Sequence, residues 1–232
     1  MKLACFPILA LAACLTLSPA AARAAAALQR DTETVDRTYP LGAGGELRLN
    51  NFSGKIVITG SNRGNVAIHA VRRATRERLE NIHLDIQADG SRIRIDANKR
   101  DKSWDRHDDN VVETDFEIEV PDDANLDVNA FSSDIRISNV HGRQKVHSFS
   151  GGVTLRDAAG PIDAETFSGD IDVDLAPNAS GRVDFDTFSG DLTSDIPMAY
   201  RSGGRRGAHG EIGSGGTNTL KFHTFSGDVH IK

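Results

Sequence analysis

The chain has 232 residues with 27 basic and 33 acidic side chains, so it is long enough to bury a substantial core and carries a formal net charge of −6. This acidic balance excludes nucleic acid as the main expected partner, because binding to phosphates relies on clustered Lys and Arg. The two cysteines are Cys5 and Cys14, so the sequence after residue 14 has no thiol for a zinc site or for nucleophilic catalysis.

Residues 1–24 have the pattern of a secretory signal peptide. Lys2 precedes an apolar run over Leu3–Leu17, and small residues follow up to a cleavage site that we expect after Ala24 or Ala26. The sequence therefore predicts a protein exported to the periplasm or the cell envelope. An alternative is a lipoprotein, in which Cys14, at the end of the tetrapeptide LAAC, is acylated and tethers the protein to a membrane.

Residues 25–45 are predicted to be a linker, and residues 46–232 a single domain. The first part of this domain is irregular, and its predicted elements are a strand at residues 65–71, a short helix at 74–82, a hairpin at 83–97 and a strand at 111–121. We interpret these elements as wide first coils of the regular structure that follows.

A four-residue motif, Phe-Ser-Gly-Asp or a close variant, recurs along the chain. Its copies begin at Phe52, Phe131, Phe149, Phe167, Phe188 and Phe225. The central spacings are 18, 18 and 21 residues, and the last spacing, 37, is close to two such units. A fixed period near 20 residues indicates a stacked repeat architecture.

Each Phe lies between two runs of alternating apolar residues. Around Phe167, for example, Ile162 and Ala164 lie five and three residues before the ring, and Ile171 and Val173 lie four and six residues after it. Such alternation is typical of half-buried strands. The apolar residues before the Phe lie at odd-numbered distances from it, and those after the Phe lie at even-numbered distances. A straight strand cannot change faces in this way, so the chain must bend beside the Phe. We expect this bend to let the Phe ring fill a corner of the core.

The glycine two residues after the Phe suits a bend that needs a positive φ or a close approach of backbones. These glycines are Gly54, Gly151, Gly169, Gly190 and Gly227. A unit of strand, bend, strand and turn within 18 to 21 residues is too short for a helical crossover. It predicts an all-β, single-domain parallel β-solenoid, and the general crossover rule predicts right-handed winding.

The repeats also carry a resemblance to a known bacterial family. Three stretches resemble the DUF4097 family, whose members are sometimes labelled adhesins: FEIEVPDDANLDVNAFSSDIRISNVHG, HSFSGGVTLRDAAGPIDAETFSGDIDVDL and, at the end, GEIGSGGTNTLKFHTFSGDVHIK. The resemblance covers most of the chain after residue 45. It implies a β-solenoid on an exported protein linked with the cell envelope, and it implies no established reaction and no catalytic residue. Departures from the pattern are Ser133, Gly152 and the Gly/Arg-rich insertion at residues 201–210.

Acidic side chains on successive coils are a candidate cation site. If the coils stack in chain order, two acidic pairs lie side by side, and their members are Asp163, Glu165, Asp184 and Asp186. Like charges at coil spacing repel, and calcium held by carboxylate oxygens would offset them. The alternative, which we favour, is a solvated acidic face without a cofactor, helped by neighbours such as Lys145 and Arg136. The Asp of the motif itself is expected to cap turns.

Motifs for catalysis or nucleotide binding do not accompany the repeat, since the sequence contains no H-E-x-x-H, G-x-S-x-G or P-loop pattern. The predicted function is an exported, non-catalytic structural, adhesin-like or interaction module that binds an envelope protein or a glycan. One alternative is a carbohydrate-active or glycan-binding β-helix. Another is a self-polymerising scaffold that associates through the solenoid ends, because the final strand stops at Lys232 and would expose Val229 and Ile231.

Overall fold

The computed structural model describes residues 30–102, 104, 110–177, 179–204, 207–214, 216 and 218–232. The predicted leader, its cleavage site and Cys14 lie outside the described residues. Within these residues the fold is all-β, with nineteen strands and one short helix, and no helix is long and apolar enough to cross a membrane. The elements are β1 Asp31–Pro40, β2 Glu46–Ser53, β3 Ile56–Ser61, β4 Asn65–Ala74, α1 Arg76–Asn81, β5 Ile82–Ala88, β6 Arg92–Arg100, β7 Glu113–Pro121, β8 Asn125–Ser132, β9 Ile135–Ser138, β10 Gln144–Ser150, β11 Val153–Ala158, β12 Ile162–Ser168, β13 Ile171–Leu175, β14 Gly181–Ser189, β15 Leu192–Ser194, β16 Met198–Gly204, β17 Gly207–Ile212, β18 Thr219–Ser226 and β19 Val229–Ile231.

The strands form two walls that meet at the Phe-Ser-Gly bends. The upstream wall is built around the strands that enter the bends, in the spatial order β5-β6-β2-β8-β10-β12-β18-β14-β17-β16. The downstream wall is built around the strands that leave them, in the order β1-β4-β7-β3-β9-β11-β13-β19-β15. Neighbours are parallel from β6 to β14 and from β7 to β15. The prediction of an all-β fold of stacked coils is confirmed.

The core lies between the walls and is filled by the inward residues of both alternating runs. Leu126 and Ile162 on the upstream wall are each no more than 2% exposed. Gln144, where the apolar pattern fails, is also buried, and its Nε2 donates to the Val140 carbonyl oxygen at 2.7 Å. The other exception, Ser194, lies on β15 at the edge of the downstream wall. Both departures from the pattern therefore have a local structural reason.

The phenylalanines of the motif point outward, so the prediction that they fill a corner of the core is wrong. The strand keeps its alternation through the motif: Thr166 is buried and Phe167 is 45% exposed. The change of face comes later, at Gly169, where φ is +158° and a Cβ would lie 2.3 Å from the Gly151 carbonyl oxygen of the adjacent coil. Because the chain turns there, the ring stays outside and Ile171 returns to the core. The same close approach recurs at Gly54, Gly151, Gly190 and Gly227.

A buried hydroxyl before the Phe ties the strand to the bend. The Oγ1 atoms of Thr166 and Thr224 donate to the carbonyl oxygens of Gly169 and Gly227, at 2.8 and 2.9 Å. A carbonyl group left without a partner inside the core would cost about 1–3 kcal/mol. In these two coils the threonine that precedes the Phe is therefore part of the bend and not only a space filler.

The last coil does not lie at the end of the stack. β18 pairs with β12 on one side and with β14 on the other, and β19 lies between β13 and β15. Val229 and Ile231 are fully buried there. The prediction that the final strand forms an open end is wrong, because the chain leaves the space of one coil after β13 and fills it with its C-terminal residues.

Antiparallel strands extend the stack at both ends. At one end β1 pairs with β4 along all of residues 31–40, so the predicted linker over residues 25–45 is wrong for this segment. At the other end the hairpin of β16 and β17 pairs with β14, and it carries the described part of the insertion at residues 201–210. The insertion therefore extends the upstream wall beyond the last parallel strand.

Candidate functional site: an exposed phenylalanine ladder

The outward rings of the motif form one continuous stack, which we call the phenylalanine ladder. In spatial order its members are Phe52, Phe131, Phe149, Phe167, Phe225 and Phe188. Neighbouring ring centroids lie 4.6–4.8 Å apart and neighbouring planes differ by 2–17°. The spacing equals the distance between paired strands, so the parallel, in-register walls set it directly.

The ladder is an exposed apolar strip on the outside of the fold. Its six side chains are 36–58% exposed. Five spacings of this size give a strip roughly 24 Å long. Each inner ring has a neighbour on both faces, so the ladder presents ring edges to solvent. A large exposed apolar patch of this kind commonly marks an interaction site.

A groove of about 640 Å³ runs beside the ladder. Its apolar side consists of the rings, and its other side consists mainly of outward residues two positions before each Phe. We call these residues the polar row; in spatial order they are Asn50, Asn129, His147, Glu165, His223 and Asp186. The groove extends along the row from Asn50 to His223 and along the rings from Phe52 to Phe225. Within the row, His147 Nδ1 lies 2.9 Å from Glu165 Oε2. The groove is therefore amphipathic along its length.

A second row, four positions before each Phe, alternates in charge. We call it the charge row; in spatial order it consists of Arg48, Asp127, Lys145, Asp163, Lys221 and Asp184. Arg48 Nε donates to Asp127 Oδ2 at 2.8 Å at one end of the row. His209 Nδ1 lies 3.0 Å from Asp184 Oδ1 at the other end. Each charge in this row thus faces the opposite sign on the adjacent strand.

The four carboxylates of the candidate cation site are not adjacent, contrary to the prediction from chain order. Lys221 lies between Asp163 and Asp184, because β18 separates β12 from β14. His223 separates Glu165 from Asp186 in the same way. Within the described residues, no group of three or more His, Cys, Asp or Glu side chains is arranged to hold a metal ion.

The Asp side chains of the motif bond to the turn of the next coil. Asp134 Oδ1 accepts the backbone N–H of Gly152 at 3.0 Å, and Asp170 Oδ1 accepts that of Asp228 at 2.9 Å. Asp228 Oδ1 in turn accepts the N–H of Asp191 at 2.9 Å. These carboxylates, which flank the ladder on the side away from the polar row, therefore link successive bends.

A smaller groove lies on the downstream wall near the N-terminal end of the stack. There His69 on β4 faces Asp36 on β1, with 2.7 Å between Nδ1 and Oδ1. The hydrogen bond to Asp36 raises the pKa of His69 above its ordinary value of 6.5 and outweighs the opposing effect of desolvation, while the charges of Asp36 and Glu117 raise the pKa by smaller amounts. This pair stabilises the outermost strand and includes none of the residues singled out in the sequence.

The outward position of the motif rings could have been predicted from the sequence, although the sequence analysis placed the rings in the core. The alternation of each upstream run already places the Phe two positions beyond an outward residue, so the ring and the polar row share a face. The polar row and the charge row could not be ordered, because their order depends on the insertion of β18. The sequence therefore identified the ring positions and missed the surface that they form.

Comparisons with known proteins identify similar sequences and folds. The sequence model of Toastrack DUF4097 matches residues 45–232. No curated protein has a sequence that matches the chain. Among solved structures, "a putative cell adhesion protein" from Clostridium sporogenes is 11% identical, with a TM-score of 0.60, and the alignment covers 86% of this chain and 99% of that one. "A putative adhesin" from Bacteroides fragilis is 13% identical, with a TM-score of 0.31, over 86% of this chain and 97% of that one.

Proposed function

The chain belongs to the Toastrack DUF4097 family, and from this premise we propose that it is an exported, non-catalytic, right-handed β-solenoid that acts as an adhesin-like interaction module at the cell envelope. The sequence pattern of residues 1–24 supports export. The Clostridium sporogenes protein of similar fold is named as a cell adhesion protein, and this name supports the adhesin-like role.

The phenylalanine ladder carries this proposal. Six rings, each about half exposed, hold roughly 500–600 Å² of apolar surface in contact with water, which is the size of the largest patch on many monomeric proteins. Burying such an area against a partner would contribute on the order of 10 kcal/mol before the costs of association. Keeping the ring outside in all six copies of the motif therefore favours a binding surface that runs along the stack.

The form of the ladder also favours one type of contact over another. A sugar ring that stacks on an aromatic side chain needs an open ring face, and the inner rings have both faces covered by their neighbours. Ring edges instead suit contact with another apolar surface, while the polar row supplies hydrogen bonds at its border. This favours a protein-like partner over a glycan platform or a carbohydrate-active site.

The proposal is tested by sedimenting the purified protein with the envelope fraction of the bacterium that produces it. Wild type and Tyr200→Ser, which removes an exposed aromatic ring outside the ladder, are expected to co-sediment equally. The double variant Phe149→Ser/Phe167→Ser is expected to bind at least about tenfold more weakly. Equal binding by the double variant, with its fold checked by circular dichroism, would show that the ladder is not the binding surface.

Fractionation of the producing cells tests the location separately. The protein is expected in the periplasmic or envelope fraction, and recovery of the full-length chain from the cytoplasm alone would contradict export. Mass spectrometry of the recovered protein would distinguish cleavage near Ala24 from acylation at Cys14.

A further inference from the structure

The repeat distance of the ladder restricts what can pack along it. An α-helix presents side chains with a pitch of about 5.4 Å, and a strand presents them on one face about every 6.6–6.8 Å. Neither period matches the 4.6–4.8 Å between rings over six steps. A second ladder has the same period and stays in register along the whole strip, as in the dry interfaces between stacked sheets.

We propose that the ladder of one copy packs against the ladder of a second copy, in an antiparallel arrangement with two-fold symmetry. The proposal rests on the ladder being an interaction surface, and it names the partner. In this arrangement Phe52 of one copy lies at the level of Phe188 in the other, and Phe149 lies at the level of Phe167. The centre of the interface then falls between Phe149 and Phe167.

The area of the ladder is consistent with such a dimer. At 36–58% exposure, each ring contributes roughly 90 Å² of surface, so that one copy brings about 550 Å² of apolar surface to the interface. A stable interface of standard size buries about 800 Å² on each partner. The ladder therefore supplies the apolar centre, and the flanking polar side chains supply the remaining rim.

The polar row favours the antiparallel orientation. A two-fold axis across the ladder places His147 opposite the partner's Glu165, Asn129 opposite the partner's His223, and Asn50 opposite Asp186 of the partner subunit. Each of these pairs can combine a hydrogen-bond donor with an acceptor. The three pairs occur twice in the dimer, so the row is complementary to itself.

The parallel orientation is electrostatically unfavourable. It would set the polar row against the Asp side chains on the opposite flank, with Glu165 near the partner's Asp170 and Asp186 near the partner's Asp191. In the antiparallel orientation the flank that carries the motif Asp side chains lies against the same flank of the second copy. Lys55 then faces the partner's Asp191. Asp134 then faces Asp228 of the partner subunit, so the antiparallel orientation has one kind of acidic contact where the parallel orientation has two.

Sedimentation velocity of the protein purified from the full 232-residue sequence, over a wide range of concentration, tests the dimer. Wild type and Tyr200→Ser are expected to form the same dimer. Phe149→Ser/Phe167→Ser, which changes the two central rings, is expected to raise the dimer Kd at least about tenfold while its melting transition stays cooperative. A wild-type monomer at every concentration would overturn the proposal, and so would a dimer that persists in the double variant.

Chemical cross-linking tests the orientation. In a background in which Cys5 and Cys14 are replaced by Ser, single cysteines are placed at the ladder ends as Phe52→Cys or Phe188→Cys. A short bifunctional maleimide is expected to link a mixture of the two proteins and to leave each protein alone mostly unlinked. Efficient linking of either protein alone would indicate the parallel arrangement and contradict the antiparallel one.

The two proposals fail in different ways. A pure protein that stays monomeric but binds the envelope through the ladder would leave the interaction module in place and exclude the second copy as its partner. A ladder-dependent dimer that does not bind the envelope would support self-association and contradict the envelope role.

Discussion

The middle of the stack and its C-terminal part are built from the same coil but are ordered differently. From β8 to β13 the coils follow one another in space as they do in the chain, at a spacing of 18 residues. From β14 to β19 the order changes. β14 leaves room for one strand between itself and β12, and β18 later occupies that place. The three extra residues in the spacing of 21 give the chain additional reach for this step. A local repeat therefore specifies the coil but not the position of each coil in the stack.

The charges on the outer faces of the strands favour the position of the last coil, β18 and β19, between its two neighbouring coils. In chain order Asp163 would lie beside Asp184, whereas β18 sets Lys221 between them. On the downstream wall β19 is followed by Lys232, whose Nζ lies 3.7 Å from Asp172 Oδ1. Opposite charges on adjacent strands stabilise each pair by a fraction of a kcal/mol, and like charges destabilise it. The sum over both walls favours insertion.

The prediction with the largest expected effect tests whether the final coil lies inside the stack or forms an exposed end of it. Ile231 is fully buried between β13 and β15, so Ile231→Lys would place an unpaired ammonium group in the core. We expect a loss of more than about 4 kcal/mol in the free energy of unfolding, measured by urea denaturation.

The neighbouring residue provides the matched control. His230 lies on the outer side of the same strand, near Asp172 and Asp195, and His230→Lys places an ammonium group beside these carboxylates. We expect this variant to unfold within about 0.5 kcal/mol of wild type. If Ile231→Lys were as stable as His230→Lys, the final strand would have to lie at an exposed edge.

The second prediction concerns the bend that both regions share. Gly169→Ala puts a Cβ at a φ of +158° and 2.3 Å from the Gly151 carbonyl oxygen, so backbone strain and a clash act together. We expect the free energy of unfolding to fall by about 2–3 kcal/mol. Gly64→Ala is the control, because no atom lies within 4 Å of a Cβ at Gly64. Equal stabilities would mean that the coils do not approach as closely as described.

The third prediction tests the role of charge in placing β18. Lys221→Asp would set three carboxylates in a row, at Asp163, position 221 and Asp184. We expect a loss of about 1 kcal/mol at low salt, seen as a melting temperature lower by about 2–4 °C. Because exposed charges are screened, the loss should shrink at high ionic strength. Lys221→Gln is expected to show a smaller loss and less salt dependence, and an identical salt response would contradict the charge argument.

The sequence predicted the elements better than their arrangement. Alternation around Phe167 identified both strands and the bend, because side-chain period and backbone geometry are local properties. The outward ring was missed because the phase change was placed at the Phe and not at Gly169. The position of Lys221 between Asp163 and Asp184 could not be read locally, since it depends on contacts between residues 37 or more positions apart in the chain. The surface formed by the ladder follows from the same long-range order.

The smallest effect concerns the pair at the other end of the stack, where the same cross-strand rule operates between antiparallel strands. Asp36 raises the pKa of His69 through a hydrogen bond, so the protonated imidazole stabilises the pairing of β1 with β4. This contribution is complete below the ordinary pKa of 6.5 and is lost as the pH rises through the higher pKa of the folded protein. In an NMR titration, Asp36→Asn should lower the pKa of His69, and the variant should melt below wild type at pH 5 and close to it at pH 9. An unchanged His69 titration in Asp36→Asn would mean that another charge, such as Glu117, sets the pKa.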